Sequence, residues 1–127
     1  NDPVDYRDVV GLALDPASRL ALQLAAAGKG AKEIAATLCE LGLASAKQAA
    51  KIAAKELAKN AKRLSEKELK KRVKDVHKLK ENIKKKYGKE LGKDKNFDIL
   101  EDAHGNVLLK GNKTGNVIAT DTPLSGF

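Results

Sequence analysis

Apolar positions repeat on two different periods along this chain. Through Tyr87 they recur three and four apart, as on a helix face, and from Phe97 onward they come in short runs broken by Gly and Asn, as in strands and turns. Residues 1–14 predict a short helix closed by Asp15-Pro16, because the residue before proline leaves the helical region. The same pair reads as N-cap and first residue of a second helix over Ala17 to Ala27, stopped by Gly28-Lys29-Gly30. Ala31 to Leu41 follows with Ile34, Leu38 and Leu41 as its stripe and Gly42 at its end. Ser45 then caps a helix from Ala46 to Leu64 whose apolar positions are mostly alanine.

Ser65 and Glu68 form a Ser-x-x-Glu capping box, which starts a lysine-dense helix running to Tyr87-Gly88. With Leu69 at zero on a wheel of about 100° per residue, Val73, Val76, Ile83 and Tyr87 fall within about 40° and Leu79 on one flank. This stripe must face a core. Lys80 lands inside it, about 20° from the centre, with Lys84 and His77 at one border, about 60° and 80° round. A lysine in such a place either snorkels its head to water or holds an anion in a partly desolvated site.

Beyond a polar linker, Lys89 to Asn96, three strands are expected at Phe97–Leu100, Val107–Lys110 and Val117–Thr120. Asp102-Ala103-His104-Gly105-Asn106 and Gly111-Asn112-Lys113-Thr114-Gly115 are the hairpin turns between them. Side chains alternate along a strand, so Phe97, Ile99, Val107 and Leu109 share one face. Asp98, Lys110 and Thr120 are left for the other, with Asp98 and Lys110 as a cross-strand ion pair. The fold class expected is α+β: an Ala-rich helical bundle over residues 1–61, then over 62–127 a basic helix packed on a small antiparallel sheet of three to four strands.

Charge sharpens this division. Residues 62–95 hold 15 Lys+Arg against 6 Asp+Glu, whereas residues 1–61 hold 8 against 7 and residues 96–127 hold 2 against 4. The acidic residues of the middle segment are too few to pair its lysines, which favours an anionic partner, a polyphosphate chain above all. The lack of Trp or Phe anchors on the helix speaks against a membrane surface, and no apolar run is long enough to span a bilayer. The absence of methionine with the start Asn1-Asp2-Pro3 suggests a piece of a longer polypeptide. The single cysteine, Cys39, forms no internal disulfide and reads as a small buried hydrophobe; Cys and His are too few for a structural zinc site. Lys32 to Leu38 with Gly42 and a following helix resembles half of a helix-turn-helix. The second helix, however, offers mostly alanine and lysine where base-reading side chains belong.

RNA can be cut without a metal if a base takes the 2′-hydroxyl proton, an acid protonates the leaving 5′ oxygen and cations stabilise the phosphate. His77 is the candidate for proton transfer and Lys80, one turn on, for the phosphate clamp, with Thr120 and Thr122 as further catalytic candidates. Lys84, Lys110, Asn112, Lys113 and Thr114 are candidate phosphate contacts. His104, within a turn, reads as structural. No Asp/Glu/His cluster has metal-ligand spacing, and no cofactor is expected.

The run His77-Lys78-x-Lys80, Asn96-Phe97-Asp98-Ile99, Asp102-x-x-Gly105-Asn106-Val107, Gly111-Asn112-Lys113-Thr114-Gly115 and Thr120-Asp121-Thr122-Pro123-Leu124 resembles the terminal nuclease modules of bacterial polymorphic toxins. These include the toxin tips of contact-dependent growth inhibition systems. The resemblance covers residues 70–127. It implies a metal-independent ribonuclease, commonly attacking tRNA, blocked by a cognate immunity protein, with elongation factor Tu a candidate partner. It further implies the C-terminal part of a secreted or cell-surface bacterial effector acting in the cytoplasm of the target cell, with residues 1–61 as an accessory segment. A nonenzymatic nucleic-acid-binding module and a protein-interaction domain stay open beside it.

Overall fold

The computed structural model describes residues 15–127. Among them the helices are α1 (Pro16–Ala26), α2 (Ala31–Glu40), α3 (Ala46–Lys59), α4 (Glu66–Arg72) and α5 (Val76–Leu91). The strands are β1 (Lys62–Arg63), β2 (Phe97–Glu101), β3 (Asn106–Gly111) and β4 (Val117–Pro123), followed by a 3₁₀ turn over Leu124–Gly126. The fold is α+β. The helix expected before Asp15 lies outside the described residues. The chain divides into two compact units, the first ending at Glu56 and the second running from Leu57 to Phe127.

In the first unit, Asp15 caps α1 by accepting from the Ser18 amide at 2.8 Å, with Pro16 in the first turn. Ser45 caps α3 by accepting from the Gln48 amide at 3.3 Å. The buried positions are largely alanine (Ala17, Ala21, Ala25, Ala31, Ala49, Ala53 and Ala54) together with Ile34 and Leu38. Leu41, expected in the α2 stripe, is 61% exposed, because α2 ends one residue earlier and Gly42 turns the chain at φ +69°.

The second unit departs from the sequence reading in its helices. α3 stops at Lys59 rather than Leu64, and residues 62–63 pair with β2, Lys62 opposite Glu101 and Arg63 opposite Leu100. The Leu64 amide then donates to the Ile99 carbonyl at 2.8 Å and the Leu64 side chain enters the core. The expected single basic helix is two. Ser65 and Glu68 form the capping box of α4, but Val73 is extended (φ −129°, ψ 132°) and Asp75 begins α5 by accepting from the Lys78 amide at 3.1 Å. α5 also passes through Gly88, the expected stop, and ends at Gly92 (φ +55°), which brings Leu91 into the core at 6% exposure.

The break resets the helical wheel. With Ile83 at zero, Val76, Leu79 and Tyr87 lie within about 40°, Lys80 about 60° and His77 about 120° round. Leu79 is therefore core rather than flank, and Lys80 is a border residue. Leu79, Ile83 and Leu91 pack with Ile99, Val107 and Leu109 of the sheet, with Leu64, Leu69 and Leu124 closing the cluster.

The sheet order is β1-β2-β3-β4, all neighbours antiparallel. Asp98 does lie opposite Lys110, yet its carboxylate pairs with Arg63 of β1 at 3.3 Å. Leu100 and Leu108, on the face away from α5, are also buried. The β2–β3 turn is held by the Asp102 carboxylate, which accepts from the amides of His104 and Asn106 at 2.8 and 2.9 Å, with Gly105 at φ +82°. Between β3 and β4 the register slips: Leu108 faces Ala119 but Asn106 faces Pro123, so Thr120, Asp121 and Thr122 oppose Val107 alone. Asp121 takes φ +51° at this bulge.

Candidate nucleic-acid interface

α4 contributes acidic residues at its start and bases at its end, as a helix dipole favours. Arg72, in its last turn, makes two hydrogen bonds of 2.8 Å to the two oxygens of Glu101, a bidentate pair that holds α4 to β2. That guanidinium keeps the Glu101 carboxyl below its usual range. Glu66, in the first turn, pairs with Lys80 of α5, and the Lys80 ammonium likewise lowers the Glu66 carboxyl.

This pair sits at the mouth of a cleft of about 250 Å³ lined by Glu66, Lys80, Lys84, Lys95, Asn96, Phe97, Asp98 and Asn112. The start of α4, α5, the segment leading into β2 with its first residues, and the loop after β3 supply it. Lys80 is bound to Glu66 and Asp98 to Arg63, whereas Lys84 and Lys95 take part in no ion pair among the described residues. The cleft thus keeps two uncompensated ammonium groups.

The loop after β3 is fixed by a group the sequence reading passed over. Asp94 is 5% exposed, and its Oδ1 accepts from the Lys113 and Thr114 amides at 2.9 Å each while its Oδ2 accepts from the Thr114 hydroxyl. These donors, the hydroxyl first, hold the carboxyl below its usual value. A Cβ on Gly111 would lie 2.0 Å from Oδ2, so glycine alone fits there.

The cleft brings together Lys80, Lys84 and Asn112. Lys113 presents an exposed side chain from the Asp94-tethered loop, and the Thr114 hydroxyl is engaged by Asp94. Lys110 is exposed on the sheet face away from α5. His77 is 85% exposed with Glu81 Oε2 3.6 Å from its Nε2, and it does not line the cleft. Thr120 is buried; its hydroxyl donates to the Val107 carbonyl at 2.7 Å and accepts from the Thr122 amide at 3.2 Å, closing the bulge. The Thr122 hydroxyl donates to the Thr120 carbonyl at 2.9 Å and lies near the Tyr87 hydroxyl. Tyr87 is ten residues beyond His77, about 15 Å along the helix axis, so the threonines and His77 are not gathered at one point. Burial, then the nearby Glu90 and Asp121 charges, raises the Tyr87 hydroxyl above its usual value.

A second cleft, of about 460 Å³, opens at the other end of β2 between the α4–α5 junction and the C-terminal turn. His104 lines it. Among the described residues no group of three metal-ligating side chains comes together, and no helix is long and apolar enough to cross a membrane.

Comparison with protein-family models, curated proteins and solved structures gives no match.

Proposed function

We propose that residues 57–127 form a ribonuclease that cuts RNA, tRNA in particular, by side-chain acid–base chemistry. The reading extends to an antibacterial toxin module, neutralised by a cognate immunity protein, working in a target cell's cytoplasm with elongation factor Tu as a candidate helper. One observation carries it: Lys80, Lys84, Lys95 and Asn112 from three elements line one cleft, with two ammonium groups left uncompensated. A phosphodiester is the polymer group that such a cleft suits.

In this reading His77, one turn before Lys80 on α5, takes the proton of the 2′ hydroxyl as its oxygen attacks phosphorus. The bond from phosphorus to the 5′ oxygen breaks, that oxygen takes a proton from a donor on the opposite side, and a 2′,3′-cyclic phosphate remains. Lys80 and Lys84 stabilise the charge that builds on the phosphate oxygens. Glu81, one turn after His77, has its Oε2 3.6 Å from the His77 Nε2.

A second reading, a binding module without cleavage, draws on the high exposure of His77 and its place outside the cleft. Controlled expression in a bacterial host separates the two. Cleavage predicts growth arrest with loss of intact tRNA, both relieved in His77→Ala at equal protein level. Equal arrest by His77→Ala, or arrest with tRNA intact, contradicts the ribonuclease.

A further inference from the structure

The cleft of about 460 Å³ is built from the α4–α5 junction, the end of β2 with its following turn, and the C-terminal turn. Its size falls in the range of about 300–1,000 Å³ usual for small-molecule sites. Apolar surface comes from Val73, Pro123, Leu124 and the Phe127 ring, and polar groups come from three separate segments. The Phe127 ring is set by its neighbours: it lies 6.4 Å from the Tyr87 ring, tilted by 60°, and packs against the core cluster. Lys86 Nζ stands 5.9 Å from the centre of each ring. Arg72 is held flat against Glu101 by its two hydrogen bonds, which neutralise its charge but leave its plane as a surface. Lys74 and His104 are exposed, and neither side chain has an ion-pair partner among the described residues.

We infer that this cleft binds one nucleotide unit. Aromatic rings and guanidinium planes are the surfaces on which unpaired bases stack. Lys74 and the His104 ring, at the rim, supply the donors for its phosphate, and the Ser125 hydroxyl supplies a donor or acceptor for a base edge or ribose. The cleft and the lysine cleft lie at opposite ends of β2, five residues long and so about 17 Å, a span of a few nucleotides. A single strand entering the lysine cleft would place a neighbouring nucleotide here. The source of the ligand, a strand rather than a free nucleotide, rests on the proposed RNA activity; the binding itself does not.

The test is a titration of the full chain, followed by amide NMR, with AMP, GMP, CMP, UMP, inorganic phosphate and a trinucleotide with a non-cleavable 2′-O-methyl backbone. Saturable shifts at residues 104–105 and 124–127 are expected with at least one nucleotide ligand, with inorganic phosphate about tenfold weaker or more. Lys74→Glu should weaken binding about tenfold or more, the loss of one charge-assisted bond. Phe127→Leu, which keeps an apolar side chain against the core, should weaken nucleotides but not phosphate. Lys47→Gln, in the first unit, should leave the titration unchanged. Tighter binding of the trinucleotide than of any mononucleotide assigns the site to a strand; equal binding assigns it to free nucleotides. Absence of saturable shifts there with every nucleotide, or an equal response to inorganic phosphate, overturns the inference. Failure of the cleavage experiment alone leaves this binding result standing.

Discussion

Neutralising Lys84 and Lys95 together should flatten the salt dependence of RNA binding. Both ammonium groups line the α5 cleft without an ion-pair partner among the described residues, whereas Lys80 is already compensated by Glu66. If each takes one phosphate, each releases counterions worth about 0.7 in the slope of log affinity against log salt on a single strand, so the pair accounts for about 1.4. Between about 50 and 200 mM salt, wild-type affinity should then fall about sevenfold more than that of Lys84→Gln/Lys95→Gln. The assay is fluorescence anisotropy with a short labelled single-stranded RNA, in EDTA and in the His77→Ala background to prevent cleavage. Lys47→Gln/Lys51→Gln, in the first unit, is the control and should keep the wild-type slope. An unchanged slope in the cleft variant, or an equal drop in the control, would refute the assignment of the cleft as the phosphate track.

Thr120→Val removes a hydroxyl that serves the Val107 carbonyl and the Thr122 amide, leaving a buried acceptor short of a donor; a loss of about 1–3 kcal/mol in urea unfolding is expected. If Thr120 is purely structural, any lost cleavage should scale with the unfolded fraction. Gly111→Ala drives a Cβ against Asp94 and should cost about 1–3 kcal/mol, read the same way. Asp94→Asn should speed hydrogen exchange at the Lys113 and Thr114 amides. Because the folded Asp94 carboxyl lies below the ordinary aspartate value of about 3.9, its stabilisation is present above that pH and is lost as pH falls through the lowered value. Melting curves of wild type should therefore decline more steeply than those of Asp94→Asn across that acid range. Ile83→Ala, at a fully buried core position, should cost about 2–5 kcal/mol.

Local chemistry was legible wherever one side chain settles its own neighbourhood. The Ser65–Glu68 capping box, the Asp15-Pro16 start and the glycine turns at Gly105 and Gly115 need only a few adjacent residues, and each occurs where read. The three strands from Phe97 were visible for the same reason. The break after Arg72 was not, because Leu69, Val73, Val76, Ile83 and Tyr87 fit one continuous stripe by chance of spacing. Asp75, an N-cap type just before Val76, was the signal that competes with it. Gly88 misled in the other direction: burial of Leu91 outweighs the roughly 1 kcal/mol that a glycine costs inside a helix. β1 has only two residues, both charged, and its existence depends on the edge that β2 offers.

At the site, helical spacing puts Lys84 on a border of the basic helix, but it sets Lys80 inside the stripe; the break after Arg72 turns Lys80 to the border, and Asn112 joins both lysines through the hairpin loop. Lys95 and Asp94 were missed. Their roles come from contacts across more than 15 residues of chain, such as Asp94 to Lys113, which no local pattern contains. Asp94, an acidic residue in a linker preceding a Gly-Asn-Lys-Thr-Gly loop, was the one hint. The sequence shows the hydroxyls of Thr120 and Thr122 but not the bulge at Asp121, which commits them to backbone partners.

Cleavage of RNA by His77 on the basic helix is what distinguishes the proposed ribonuclease from a binding module. Its most direct test is incubation of the purified chain with total bacterial RNA in EDTA, with and without elongation factor Tu, resolved on a denaturing gel beside His77→Ala. Discrete tRNA-sized products from the wild type that are absent from the variant are the expected result; intact RNA in every lane with a folded protein, or the same products from His77→Ala, would contradict it.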